Sequence, residues 1–180
     1  MLEEHYLKPL FEPESVAVFG ASDREDSVGQ VLFANLLQTG LGGRLFPINP
    51  KHEVVQGQQT FKSLHDVPGR VDLAIICTPA MSVPGIIEQC GERGVRFALI
   101  VSSGFAERGH AGAALERKVL EIARSYSVRI LGPNSLGIMR PPGWSRFPRS
   151  RRCNPPRPFW VRRITAIVVT GVTSPAISPR

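Results

Sequence analysis

The chain has 180 residues, 42% of them apolar and 21% charged, which is the composition of a soluble domain with a core of its own. Its net charge of +7 is unevenly distributed, because residues 1–140 carry a net charge of −1 whereas residues 141–180 carry eight Arg and no acidic residue. Nucleic-acid binding is therefore not expected of the first 140 residues, and the absence of a long apolar run or a secretory signal predicts a cytoplasmic protein without a membrane contact.

The first predicted element is a buried strand that ends in a turn of small residues. Residues 16–19 are apolar without polar alternation, which is typical of a strand in a parallel sheet. The turn Gly20-Ala21-Ser22 follows, and a helix is predicted over about 28–39. Backbone amides of such a turn, with a helix N-terminus behind it, can bind an anion. The G-x-G-x-x-G fingerprint is not matched, since the next glycine is Gly29, so this motif alone leaves a nucleotide site and a simple chain reversal equally open.

The same alternation of strand and helix continues along the chain. We predict an extended lead-in before the first strand, and a connecting region with a turn at Gly57 and a short helix after the second. The further strands are predicted at 44–48, 71–78, 95–101 and 128–131, and the further helices at 82–93, where Ser82 can cap, and 111–125. This pattern predicts an α/β fold, a Rossmann-like doubly wound parallel sheet of about five strands, as a single domain over 1–140 with an irregular tail over 141–180.

Each predicted strand ends in a turn of small or polar residues. In a parallel sheet the carboxyl ends of the strands share one edge, and ligands bind in the crevice at that edge. The five turns are Gly20-Ala21-Ser22, Asn49-Pro50-Lys51, Thr78-Pro79-Ala80, Ser102-Ser103-Gly104 and Gly132-Pro133-Asn134. Five such turns favour a ligand site, although Lys51 alone also reads as an ordinary surface lysine.

With those turns located, the chain resembles the CoA-binding domain of the NDP-forming acyl-CoA synthetases, the group that includes the succinyl-CoA synthetase α subunit. The resemblance covers approximately residues 7–139. Similar domains also begin larger proteins in which the synthetase is fused to a GNAT acetyltransferase. The matching stretches are SVAVFGAS, FPINPK, DLAIICTPA, VSSGFAE and RILGPNSLGI, the last with Ser135 where a cysteine is common in the family.

This resemblance implies coenzyme A or acyl-CoA as the ligand and assigns a role to each turn. The first turn with Asp23 and Arg24 would follow the CoA phosphates, and Lys51 would be a cationic contact to the nucleotide or its phosphate. The remaining turns would flank the adenine or the pantetheine arm and lead out of the domain. The residues implied are Gly20, Ala21, Ser22, Asp23, Arg24, Lys51, Thr78, Pro79, Ala80, Ser102, Ser103, Gly104 and Asn134.

The resemblance stops near Arg140, whereas the family continues into a domain with a phosphorylated histidine and an ATP-grasp domain. None of the four histidines of the sequence matches that histidine, and no metal site is predicted. The chain is therefore expected to be truncated relative to the family and to bind CoA without catalysing the acid–CoA ligase reaction alone. Chains carrying the missing domains are the partners that this implies.

Two explanations fit the tail from Pro141, which has eight Pro, eight Arg and both tryptophans. One is a natural basic extension that binds nucleic acid or an acidic partner. The other, which we favour because the change is abrupt, is a shifted reading frame or a damaged gene. In both cases we expect poor order, although residues 164–169 read as a strand.

The alternative function from a different class is an NAD(H)-binding redox or sensor domain of the same fold. The absent fingerprint and the absence of an acidic residue after the second strand disfavour it. A catalytic cysteine is also disfavoured, because Cys77, Cys90 and Cys153 are widely spaced and Cys77 lies in an apolar run typical of a core position.

Overall fold

The computed structural model describes residues 6–38, 44–135, 137–139 and 166–168. The helices are α1 (Lys8–Phe11), α2 (Val28–Gln38), α3 (Val83–Glu92) and α4 (His110–Ser125), with short 3-10 helices at Leu64–Asp66, Ala80–Ser82 and Ala106–Arg108. The strands are β1 (Val16–Phe19), β2 (Leu45–Ile48), β3 (Val54–Val55), β4 (Gln58–Gln59), β5 (Leu73–Ile76), β6 (Phe97–Ile100), β7 (Arg129–Leu131), β8 (Gly137–Met139) and β9 (Ala166–Val168).

Five parallel strands form the central sheet, in the order β2-β1-β5-β6-β7. All four residues of β1, of β5 and of β6 are buried, which explains why these strands read as continuous apolar runs in the sequence. The order confirms the predicted α/β fold with a parallel sheet of five strands. From β1 the chain first adds β2 at one side and then crosses to add β5 at the other side of β1. The carboxyl ends of β1 and β5 are therefore the topological switch point of the sheet.

The two faces of the sheet carry separate apolar layers. Alternate strand residues such as Val16 and Val18 pack against Leu32, Phe33 and Leu36 of α2. The other alternate residues of the strands pack against α3 and α4 on the opposite face. Burial of each large apolar side chain contributes about 1.5–3 kcal/mol, so these two layers hold the sheet in place.

The lead-in before β1 differs from the prediction. Residues 8–11 form the short helix α1 and are not extended, because a proline is compatible with the first turn of a helix and Pro9 stands there. Leu7 and Leu10 of this segment pack against the layer that contains α2.

The connection from β2 to β5 contains a hairpin that the sequence did not predict. Strands β3 and β4 pair antiparallel across Gln56 and Gly57, whose φ angles are 48° and 75°. Two consecutive residues with positive φ make the type I′ turn that suits a two-residue hairpin. The short helix predicted near residues 63–66 is confirmed at Leu64–Asp66.

The described residues after 135 form one short pair of strands, in which β8 pairs antiparallel with β9. Strand β9 lies inside the stretch 164–169 that reads as a strand in the sequence. The predictions of poor order and of a shifted frame fall on residues 141–165 and 169–180, which lie outside the described residues. No helix in the described part of the chain is long and apolar enough to cross a membrane.

Gly29→Ala is expected to destabilise the fold by about 2 kcal/mol or more, because a Cβ at Gly29 would lie 2.0 Å from the carbonyl oxygen of Gly20 and force α2 away from β1. Gly85→Ala is the matched control, since Gly85 also lies in a helix but a Cβ there has no atom within 4 Å. The control should stabilise by about 0.5–1 kcal/mol. Equilibrium urea unfolding measures both changes. Equal stability of the two variants would show that α2 does not approach β1 this closely in solution.

Candidate functional site

Because the five strands are parallel, the turns at their carboxyl ends lie along one edge of the sheet, as predicted. The turn after β1 lies at the switch point, and the N–H of Gly20 donates to the carbonyl of Ile48, at 3.2 Å. Gly20 has a φ of 85°, and a Cβ there would lie 2.9 Å from the carbonyl oxygen of Cys77. Only glycine fits this position, because β1 and β5 approach each other directly under the turn.

A cleft of about 350 Å³ opens at this point, between the ends of β1, β2 and β5 and the start of α3. It is lined mainly by apolar surface, with two lysines among the polar residues. Of the predicted site residues, Gly20, Lys51, Thr78 and Pro79 line it. The other lining residues are Phe19, Ile48, Asn49, Pro50, Lys62, Ser82, Ile86 and Gln89.

Lys62 is the charged lining residue that sequence reasoning missed. It follows Phe61, whose N–H donates to the carbonyl of Pro47 and whose carbonyl accepts from the N–H of Asn49, both at 2.9 Å. This pairing brings the chain after the hairpin alongside the end of β2. Nothing in the local sequence around Lys62 indicates that contact, so the position of Lys62 in the cleft can be seen only from the tertiary fold.

The loop after Gly20 presents unpaired backbone donors. Within the part of the chain that the structure describes, the N–H groups of Ala21, Ser22 and Asp23 donate to no acceptor. Ala21 is fully buried, whereas Ser22 is partly exposed and Asp23 is exposed, so the last two residues carry the amides that a ligand can reach. The side-chain oxygen of Ser22 accepts from the N–H of Arg24, at 3.0 Å, which curls the loop. Consecutive free amides in a curled loop form the concave donor surface that binds anions.

Two side chains from the β2–β4 region hold this loop. The Asn49 amide donates to the carbonyl of Ala21, at 2.9 Å, and its oxygen accepts from the N–H of Lys51, also at 2.9 Å. The Gln56 amide donates to the carbonyl of Ser22, at 3.1 Å. The carboxylate of Asp23 accepts the N–H of Gln56, at 2.7 Å. The loop at the end of β1 is thus fixed by residues that follow β2.

Helix α2 begins just behind the loop, with Ser27 as its cap. The Ser27 hydroxyl accepts from the N–H of Gln30, at 3.2 Å, and donates to the carbonyl of Arg24, at 2.7 Å. Ser82, which we predicted as the cap of α3, does not cap it. Its hydroxyl donates to the carbonyl of Pro79, at 2.7 Å, and shares a hydrogen bond with the Thr78 hydroxyl, at 2.9 Å, because the chain enters α3 through a 3-10 turn.

The turns after β5, β6 and β7 join one another along the same edge. The Ser102 hydroxyl donates to the carbonyl of Thr78, and the carbonyl of Ser102 accepts from the N–H of Asn134, at 3.0 Å. Gly104 lies beside Ala80, since a Cβ at Gly104 would be 3.1 Å from that of Ala80. The structure therefore places residues 102–104 and 132–134 next to the turn at 78–80, but not in the lining of the cleft.

The charges around the cleft are positive. Lys51 and Lys62 line it, and neither forms an ion pair with any residue in the described ranges. Cys77 lies beneath the turn, where burial raises the pKa of its thiol to about 12. Cys90 is buried in the core, and burial raises its pKa to about 12 as well. Both thiols stay protonated at neutral pH, which favours a packing role over a nucleophilic one.

A larger cavity, of about 520 Å³, lies at the opposite edge of the sheet, between Tyr6, Arg96, Tyr126 and Arg129. The Arg129 guanidinium stacks on the Tyr6 ring, at 4.8 Å from its centroid. Helices α3 and α4 end next to this cavity, at Glu92 and Ser125, and the negative ends of helix dipoles favour nearby positive charges such as these arginines. The free amides lie at the other edge, which makes the smaller cleft the candidate site.

Residues 14–141 match the family model of the CoA binding domain. The chain belongs to the CoA-binding domain family. It is 44% identical over 133 residues to acetate–CoA ligase (ADP-forming) II of Archaeoglobus fulgidus, covering 74% of this chain and 20% of the relative. It is 41% identical over 140 residues to acetate–CoA ligase (ADP-forming) I subunit alpha of Pyrococcus furiosus, covering 76% of this chain and 30% of the relative.

Comparison with solved structures gives the same kind of relative. The chain is 40% identical to the dinucleotide-forming acetyl-coenzyme A synthetase 1 of Ca. Korarchaeum cryptofilum, solved in complex with phosphate and ADP. The TM-score is 0.68, and the match covers 73% of this chain and 28% of that one. This CoA-binding domain thus resembles one part of ADP-forming acyl-CoA synthetases, and the chain spans between a fifth and a third of the length of these relatives.

In this CoA-binding domain, Glu107 anchors the loop after β6. Its carboxylate accepts the N–H of Gly104, and this bond holds the pKa of Glu107 below its ordinary value of 4.5. A lowered pKa in the folded state means that the ionised carboxylate stabilises the fold above about pH 4.5. That contribution is lost as the pH falls through the lowered pKa.

Glu107→Gln is therefore expected to lower the melting temperature at pH 7, and the difference from the unmodified protein should shrink towards zero as the pH falls well below 4.5. Thermal melts across that pH range measure it. Glu121→Gln, which changes an exposed carboxylate of α4 that accepts no hydrogen bond within the described residues, is the control and should leave the melting temperature at pH 7 close to that of the unmodified protein. A Glu107→Gln difference that is constant with pH would contradict the anchoring role of the ionised group.

Proposed function

We propose that this domain binds coenzyme A or acyl-CoA at the carboxyl edge of its sheet. The observation that carries the proposal is the combination of free backbone N–H groups at the solvent-accessible residues Ser22 and Asp23 with a cleft that holds two unpaired lysines among the described residues. Coenzyme A carries a diphosphate and a ribose phosphate beside an adenine ring. A site for such a ligand needs anion donors next to an apolar slot.

We assign the diphosphate to the loop that follows Gly20. Free amides there serve as uncharged donors, and the helix dipole of α2 adds to the positive field behind them. Asp23 contributes its N–H in this assignment, because its carboxylate is already bonded to the N–H of Gln56. Arg24 is exposed at the far end of the loop, where its guanidinium can meet a phosphate from the solvent side.

The adenine end fits the cleft itself. Ile48, Pro79 and Ile86 give it apolar walls suited to a flat ring, and Lys51 and Lys62 give it positive charge suited to the ribose phosphate. The pantetheine arm would then run along Thr78, Ala80 and the turn after β6. The Ser102 hydroxyl shapes that turn through its bond to Thr78, so Ser103 and Gly104 are the residues of that turn left to meet the arm.

No observation favours the NAD(H) alternative. An acidic residue after β2 would bind the ribose of NAD, but Asn49 stands there and its side chain is occupied by Ala21 and Lys51. The family match points to CoA.

We further propose that residues 1–140 are a binding unit and do not catalyse the ligase reaction alone. Relatives several times longer than this chain bear the ligase names, and one of them is named as a subunit alpha. Chains that carry the remaining synthetase parts are therefore the proposed partners, and an acid–CoA ligase reaction is the proposed parent activity.

Calorimetric titration of the full chain with CoA tests the proposal, with dephospho-CoA and NADH as comparisons. Lys51→Ala and Lys62→Ala should each weaken CoA binding roughly 10- to 100-fold, the loss expected when one charge-assisted bond to a phosphate is removed. If these lysines meet the ribose phosphate, neither change should alter the affinity for dephospho-CoA.

Lys118→Ala is the matched control, because Lys118 is an exposed lysine of α4 remote from the cleft, and it should bind CoA as tightly as the unmodified chain. Tighter binding of NADH than of CoA would overturn the proposal in favour of a redox domain. Silence from all three ligands would reject a binding function for the chain on its own.

A further inference from the structure

The β3–β4 hairpin reaches back to the loop that follows Gly20 through a single residue, Gln56. Its side-chain amide donates to two carbonyl oxygens, that of Ser22 at 3.1 Å and that of Gln30 at 2.9 Å. Its backbone N–H donates to the carboxylate of Asp23, at 2.7 Å. Three hydrogen bonds from one residue thus join the hairpin, the loop and the first turn of α2.

We propose that Gln56 is a positioning residue that sets the orientation of the anion-binding amides in this domain. The inference rests on the proposed function, because it concerns the loop assigned to the CoA diphosphate. It adds a role that neither the five turns nor the lining of the cleft assigns.

The peptide bond between Ser22 and Asp23 is planar. The C=O of Ser22 and the N–H of Asp23 belong to one trans peptide group and point in opposite directions. Gln56 holds that carbonyl on the hairpin side, so the N–H of Asp23 points away from the hairpin. Asn49 orients the preceding peptide in the same way: its side chain bonds to the carbonyl of Ala21, so the N–H of Ser22 points away from Asn49.

If this bond is absent, the peptide between Ser22 and Asp23 is free to rotate. A rotated peptide presents a carbonyl oxygen where the phosphate would bind, and the oxygen repels the anion instead of donating to it. Fixing the donors beforehand removes that reorganisation from the binding step.

The hairpin is a firm support for this residue. Val55, next to Gln56, is fully buried in the layer that contains α2. The hydroxyl of Thr60 bonds to the carbonyl of His52, and the N–H of Thr60 to the carbonyl of Glu53, at 2.9 Å, so the base of the hairpin is closed. Because the hairpin is held in this way, the Gln56 side chain has a fixed position and can fix the loop to which it bonds.

The side chain of glutamine is needed for its length and not for the turn. Gln56 has a φ of 48°, a conformation that asparagine adopts more readily, and Asn-Gly is the preferred pair for this type of turn. Asparagine is one methylene shorter, so it cannot bridge the carbonyls of Ser22 and Gln30. Gln56→Asn therefore separates the two roles, since it favours the hairpin and removes the two side-chain bonds of the clamp.

We expect Gln56→Asn to remain folded and to weaken CoA binding about tenfold, with the same factor for dephospho-CoA because the diphosphate is unchanged. Gln56→Met, which keeps the length and removes the N–H donors, should show the same loss. Gln59→Asn, an exposed residue of β4, is the control and should bind as the unmodified chain does. Unaltered affinity in both Gln56 variants would overturn the inference.

Backbone amide resonances of Ser22 and Asp23 in the ligand-free protein test the clamp independently of CoA. They should shift in Gln56→Asn and stay in place in Gln59→Asn, and resonances that do not move would overturn the inference. Shifted resonances in a protein that binds no CoA would uphold the clamp and reject the proposed function. The two failures are thereby distinguished.

Discussion

The close approach of α2 to the end of β1 is the contact on which the candidate site depends. Gly29 lies so near the carbonyl of Gly20 that a single Cβ would meet it at 2.0 Å. The helix therefore starts directly behind the strand, yet eight residues separate the two glycines. Because Gly20 and Gly29 are in contact, there is no space between them for the intervening residues, which form a loop beside the contact. The free amides belong to that loop.

This arrangement explains the absence of the familiar glycine fingerprint. In G-x-G-x-x-G the third glycine permits close packing of helix and strand, and the short spacing itself fixes the turn. Gly29 serves that packing here, and the longer loop is shaped by a local bond between Ser22 and Arg24 together with bonds from residues outside it. Asn49 and Gln56 supply these outside bonds, to the carbonyls of Ala21 and Ser22. A different sequence pattern thus reaches the same kind of donor surface.

Sequence patterns predicted the sheet well, because buried parallel strands such as β5 and β6 are continuous apolar runs and the turns that follow must share an edge. They did not predict the β3–β4 hairpin, since strands of two residues carry no periodicity. The helix α1 was missed because its prolines suggested extended chain. Lys62 and Gln56 were missed for a deeper reason: each reaches the site through pairing between residues distant in sequence.

The residues of the candidate site come from one continuous part of the chain. Every residue that lines the cleft falls between Phe19 and Gln89, and the clamp on the loop comes from Asn49 and Gln56 inside that interval. The anion donors, the two lysines and their supports are thus all supplied by the first three strands of the sheet and the segments between them. No residue of β8 or β9 lines the cleft, so the proposed binding site is built without either strand.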